Sequence, residues 1–385
     1  MLGLDLVYNK LYRFALPYSY YELIINIKIT MKKKLIHLFS LILLFSVAFT
    51  SCKDDDKLRT GVVYENDALV LSVNGQTLTG KKAVVNYLSS SEAQITLDQT
   101  IVGHDNIVFT VATSEGNGLQ NLKGNLSLDE TDYEVVGNVT DADKLTLAVT
   151  QKMTSAVVGK WYLQYSEVVD PDWGFTSLNP CMITSIKTDK PMVYFMGMDR
   201  RPVEVETFLK TILGGYVKSL DWIEFKENGN VSLQFDLDAN NKDVVFPDGQ
   251  LLKEGDLKFY TKENKIYLAV NAELIKLLIP KMEGKVDISK LPLVSTSGYY
   301  AMPMLYSQEN MKPSTAIAQG KNINIYVDKA MMQPMIGIMI SLLDDEQEVG
   351  GIKIKPIMMD LDLIMKEGKS FDLGLILAQN PVPAK

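Results

Sequence analysis

Few residue types in this chain could do chemistry, and their spacing argues against most catalytic arrangements. Two histidines occur, His37 and His104. His37 lies in an apolar run expected to be removed, which leaves His104 in the turn Gly103-His104-Asp105. A histidine-based triad, or a metal site with several imidazoles, would have to use that one residue, and no nucleophile motif stands near it. Acidic pairs such as Asp170/Asp172 carry the chemistry of glycoside hydrolysis, but with 45 acidic residues from Cys52 onward such pairs are expected by chance. Asp236-Leu237-Asp238-Ala239-Asn240 opens like a calcium loop. Asn241 stands where that loop needs glycine, and Pro247 where it needs a bidentate glutamate, so a polar β-turn is the better reading. The expectation is a non-enzyme with no cofactor and no metal.

A reaction is written around Cys52. Met31-Lys32-Lys33-Lys34 is a basic start, and Leu35 to Phe49 is a mostly apolar run too short for the roughly 20 residues of a bilayer-spanning helix. Phe49-Thr50-Ser51 then leads into Cys52. Small residues before a cysteine at the end of such a run are what a bacterial lipoprotein signal peptidase requires. Phe49 departs from the aliphatic residue usual at its position. The Cys52 thiol is expected to take a diacylglycerol, and cleavage to leave it as the acylated N-terminus, with enough acyl chains for a stable membrane anchor. Residues 31–51 are then a lipoprotein signal peptide. Residues 1–30 precede the methionine with the better start signature and read as upstream sequence misassigned to the protein.

Lys53-Asp54-Asp55-Asp56-Lys57 begins an acidic tether over 52–60. It resembles the tag that directs Bacteroidetes lipoproteins to the outer face of the outer membrane, which implies a lipid-anchored, surface-exposed location. Six of the 39 basic and two of the 47 acidic residues precede Cys52, so the mature chain carries a net charge of −12. That excludes a nucleic-acid partner by charge, since a phosphate backbone needs basic patches. Only Cys181 remains besides the acylated cysteine, so no intrachain disulfide is available.

The elements that must position any site are mainly β. From 61 to 152 short alternating segments, among them Ala93/Ile95/Leu97, Ile107/Phe109/Val111 and Leu145/Leu147/Val149, are separated by turn signals such as Asn74-Gly75 and Gly116-Asn117-Gly118. This predicts an antiparallel β-sandwich or open barrel with one wet face. From 155 to 385 strands mix with helices. Strands are expected at Trp161–Val169, in a hairpin from Trp222 to Leu237 around Asn228-Gly229, at 256–260 with 265–270, and at 322–327, with a last hairpin over 360–377 around Glu367-Gly368. Apolar spacing at i, i+3, i+4 predicts an amphipathic helix over 204–221. Further helices are expected at 272–279, stopped by Pro280, and at 334–343.

Fifteen methionines fall between Met182 and Met365, whereas the first β region has only Met153, at its edge. Thioether side chains line adaptable apolar surfaces, and they also serve as ordinary core filler. Both readings stand. Trp173, Tyr299, Tyr300 and Tyr306 lie in turn-rich stretches, where exposed rings could stack on sugars or half-cover a core.

Val158-Gly159-Lys160-Trp161-Tyr162 resembles the Gly-x-Trp start of a lipocalin/calycin barrel, in which the tryptophan closes one end beneath the first strand. Trp222-Ile223-Glu224-Phe225 through Gly229 to Phe235 resembles hairpins of lipocalin-like domains in Bacteroidetes lipoproteins. The chain as a whole resembles a two-domain outer-membrane lipoprotein family of gut Bacteroidetes, which implies a location rather than an activity. Two departures stand against a closed barrel. No arginine follows Arg201 to pack on the tryptophan, and Thr131-Asp132-Tyr133 matches a second lipocalin motif in the wrong order. The resemblance implies a lipocalin-like second domain that holds a lipid or other small apolar ligand, with Trp161, Phe208, Ile212, Trp222, Met331, Met335 and Met339 as lining candidates. The alternatives are a glycan-binding or adhesion accessory of an outer-membrane uptake system, and a structural lipoprotein with an outer-membrane protein partner.

Overall fold

Alternating patterns give strands with one apolar face, and each sheet must curl until those faces meet. In the computed structural model this happens twice. The structure describes residues 59–382, apart from 117, 141, 170–172, 190–191, 195–201, 236–251, 279–291, 343–347 and 350–351. The first nine strands are β1 (Val62–Glu65), β2 (Leu69–Val73), β3 (Gln76–Leu78), β4 (Lys82–Tyr87), β5 (Glu92–Asp98), β6 (Asn106–Gly116), β7 (Leu119–Leu128), β8 (Thr131–Thr140) and β9 (Leu145–Met153). They form one curled sheet in the order β1-β4-β5-β6-β7-β8-β9-β2-β3. Tyr64 of β1 shares one buried cluster with Leu71 of β2, Phe109 of β6 and Val135 of β8, so all strands face a common interior. The expected meander is present from β4 to β9. It is not wholly antiparallel, because β2 lies parallel to β9, with Leu71 opposite Leu147. The short β1–β2 connection carries the chain across from one end of the sheet to the other, a pairing that no local pattern encodes.

The second module begins with β10 (Gly159–Leu163), leaves it for a ribbon of β11 (Tyr165–Val169) and β12 (Thr176–Pro180), and returns as β13 (Met182–Lys187). The expected strand 161–169 is thus broken at Gln164. There follow β14 (Met192–Tyr194), β15 (Pro202–Glu204), helix α1 (Val205–Val217), β16 (Leu220–Phe225), β17 (Val231–Phe235), β18 (Leu257–Lys262), β19 (Lys265–Asn271) and helix α2 (Ala272–Leu278). Then come β20 (Val294–Thr296), β21 (Tyr299–Ser307), β22 (Asn322–Asp328), helix α3 (Lys329–Leu342), β23 (Glu348–Val349), β24 (Ile352–Lys353), helix α4 (Ile354–Glu367) and β25 (Ser370–Ala378).

Eight of these strands run in the order β17-β16-β10-β25-β22-β21-β19-β18, every neighbour antiparallel. The first strand pairs with the last, as Leu163 lies opposite Leu377. This is an up-and-down barrel with one open seam. At that seam β17 and β18 meet only near its start, where Asn230 bridges Lys258 and the Phe259 N–H donates to the Gly229 carbonyl at 2.8 Å. Two turns set the register beside it. Gly229 adopts φ +78 in the expected Asn-Gly turn, and Glu263-Asn264 form a two-residue turn with φ +51 and +59.

One expectation is corrected here. Residues 360–377 are not a hairpin, because 354–367 form α4. Ile357, Leu361, Ile364 and Met365 are spaced for one helical face, and all four are buried. Gly368 follows the last turn, its N–H donating to the Ile364 carbonyl at 2.8 Å.

The two modules are joined by a dense set of contacts. The loop after β5 inserts Val102 among Tyr260, Ala269 and Ala301 on the outside of the barrel. The Gly103 N–H donates to Thr296 Oγ1 at 2.9 Å, Ser297 Oγ donates to the Ile101 carbonyl at 3.0 Å, and Thr261 Oγ1 donates to the Asp129 carbonyl at 2.9 Å. Gly103 has φ +97, and a Cβ there would stand 2.6 Å from the Tyr260 ring. Only glycine allows so close an approach in that conformation.

Candidate functional site

The lining candidates whose side chains the structure describes do not share one surface. Trp161 lies opposite Ile223, while Trp222 lies opposite Tyr162. Cross-strand partners share a face and strand neighbours alternate, so Trp161 points into the barrel and Trp222 points out of it. Trp161 is buried with Met153, Val157 and Phe225, and its indole N–H donates to the Val157 carbonyl at 2.7 Å. Trp222 is half-buried. Its indole N–H donates to Gln234 Oε1 at 2.7 Å, and the Lys160 ammonium sits 3.9 Å over its ring. The middle of the barrel is filled by side chains, among them Phe225, Val231, Phe259, Ile266, Ile323 and Leu377.

The methionine-bearing helices gather at one end. Val205 and Leu209 of α1, Ile336 of α3, and Ile357, Leu361, Ile364 and Met365 of α4 form one cluster with Phe371 of β25. Met332, Met358 and Leu373 border it. Phe371 and Leu373 continue the inward-facing series of Leu375 and Leu377, so this layer lies over an end of the barrel interior. Met331 is buried and Met335 half-buried on α3. The side chains of Phe208, Ile212 and Met339 lie outside the described residues, as does Cys52.

Helix α3 starts at Asp328, whose Oδ1 accepts the Met331 N–H at 3.0 Å as an N-cap. Lys329 Nζ donates to the Gly368 carbonyl at 2.7 Å and so ties the start of α3 to the end of α4. An open groove of about 510 Å³ runs here between Asp328, Lys329, Gln333, Lys369 and Asp372. Asp328 and Asp372 face each other across β22 and β25. Burial first, then the Asp328 charge, raises the Asp372 carboxyl above its ordinary range. The sequence held no signal for this pair, because the register that joins them spans 44 positions. Among the described residues no group of three or more His, Cys, Asp or Glu side chains could hold a metal.

His104 packs edge-on to Tyr133, with ring centroids 6.2 Å apart, and burial lowers its basicity. It belongs to the loop that docks the modules. Burial likewise raises the Cys181 thiol. Tyr299 donates its hydroxyl to the Gly255 carbonyl at 2.7 Å, and Tyr306 reaches Glu130 at 3.3 Å, so both serve contacts near the junction. Trp173 stands apart from them, 76% exposed, with Phe175 72% exposed on the same β11–β12 ribbon. Asp170/Asp172 and the stretch 236–247 lie outside the described residues. Among those described, no helix is long and apolar enough to cross a membrane.

What the fold and these surfaces define is a two-module, mainly β protein whose second module is an open up-and-down barrel covered at one end by helices. No protein-family model matches the chain, and comparison with curated proteins and with solved structures finds no match.

Proposed function

We propose that this chain is a non-enzymatic lipoprotein, anchored at the outer membrane through Cys52, that binds a lipid or similar small apolar molecule at the helix-covered end of its second barrel. One observation carries the ligand reading. Met332, Met358 and Met365 lie in or beside a helical layer over Phe371 and Leu373, where thioether surfaces can repack around a guest. The filled middle of the barrel directs the guest to that layer rather than to the centre. The first module acts as spacer and docking piece.

Two experiments test this. Metabolic labelling with a palmitate analogue should mark the wild-type protein and leave Cys52→Ser unmarked. An unlabelled wild type that washes freely from cells defeats the anchor. The delipidated mature chain should take up one equivalent of a long-chain fatty acid in native mass spectrometry. Saturation at about 100 times Kd should stabilise it by about 2.7 kcal/mol. A chain that binds neither fatty acid nor an apolar dye rules out the ligand reading. If the same chain is instead retarded in polysaccharide affinity gels, the glycan-accessory reading prevails. The exposed rings of Trp173 and Phe175 favour that second reading.

A further inference from the structure

Between the two modules lies a small cleft of about 70 Å³, walled by β2, β3 and the loop after β5 on one side, and by the β16–β17 turn, β18 and β21 on the other. Its lining contains two cations, Lys81 and Lys258, and no carboxylate. That is unexpected in a chain whose mature part carries a charge of −12. Lys81 is already engaged, since its Nζ donates to the Gln99 carbonyl at 2.5 Å. Lys258 is half-buried, and its ammonium stands 5.4 Å over the Tyr299 ring. None of the ion pairs among the described residues includes it. Burial alone accounts for its lowered basicity, with no neighbouring charge contributing. A cation taken from water into a cleft without a counter-charge is unfavourable, and an anion beside it offsets that penalty where further hydrogen bonds hold it. Gln76, Gln151, Asn228 and Ser297 add amide and hydroxyl groups to the same walls.

We propose that the cleft between the modules is a binding site for one small oxyanion, a carboxylate, phosphate or sulfate group, held by the ammonium of Lys258. The small volume of about 70 Å³ and the amide and hydroxyl walls suit a compact charged group. The site is separate from the helix-covered end of the barrel. Because its walls come from both modules, the bound anion stiffens their junction.

Isothermal titration of the full mature chain with acetate, phosphate and sulfate, at constant ionic strength made up with chloride, tests this. At least one of the three should bind saturably with one equivalent and raise Tm with its concentration, and which one binds identifies the group. Lys258→Met should weaken that binding at least tenfold, Lys258→Arg should keep it within about threefold, and Lys321→Met, an exposed lysine outside the cleft, should leave it unchanged. If no anion binds the wild type saturably, the proposal falls whatever the variants do. It also falls if Lys258→Met binds as the wild type does.

Discussion

Trp161→Ala is expected to destabilise the protein by about 3–5 kcal/mol, the range for removing a large aromatic from a packed core. Trp161 is 7% exposed, and its ring fills the barrel between Met153, Val157 and Phe225. The indole N–H also satisfies the Val157 carbonyl just before the first strand. Truncation therefore leaves both a void and an unpaired buried acceptor. Trp161→Phe, which keeps most of the volume and loses only the hydrogen bond, should cost about 1–3 kcal/mol. Urea unfolding followed by far-UV circular dichroism distinguishes the two. If alanine costs less than about 1 kcal/mol, Trp161 does not close the barrel.

A loss of similar size, about 3–5 kcal/mol, is expected for Gln319→Leu. Gln319 and Gln164 are fully buried where the chain leaves β10 for the ribbon. Gln319 Nε2 donates to the Leu163 carbonyl at 2.8 Å and to the Asn380 carbonyl at 3.1 Å. Its Oε1 accepts from Gln164 Nε2 at 3.0 Å and from the Tyr165 N–H at 2.8 Å. Leucine fills the volume but removes a partner from the buried Leu163 carbonyl and the buried Gln164 amide, and from the less buried Tyr165 N–H and Asn380 carbonyl. A group left unsatisfied where water cannot reach it costs about 1–3 kcal/mol. Thermal and urea unfolding should shift together. A variant within about 0.5 kcal/mol of wild type would mean that water replaces the amide there.

The sequence made the locally encoded features legible. Alternation in Ile107/Phe109/Val111 identified the inner face of β6, the Asn228-Gly229 turn identified the β16–β17 hairpin, and the Gly159-Lys160-Trp161 motif identified the start of the barrel. The expectation of a mainly β chain with open-barrel sheets and inserted helices holds. The hairpin expected over 360–377 fails because Glu367-Gly368 suits a hairpin turn as well as a helix end, and only the buried spacing of Ile357, Leu361 and Ile364 decides between them. The register of β10 against β16, which separates Trp161 from Trp222, is a long-range property. So are the parallel pairing of β2 with β9, the Asp328/Asp372 pair and the Gln164/Gln319 network. Lys258 gave no signal at all, because a lysine in an alternating strand is ordinarily solvated, and the walls of the cleft that bury it come from both modules.

The pairing of β10 with β25 has a bearing on biogenesis. Leu163 and Leu377 are 214 positions apart in sequence, and β25 alone contacts β10, β13 and β22. Contacts of such high order form slowly. The first module can assemble from neighbouring strands, but the barrel has no last stave until β25 pairs. Until then β10 and β22 each expose an unpaired edge, so the chain is most open to aggregation or proteolysis before that last pairing forms.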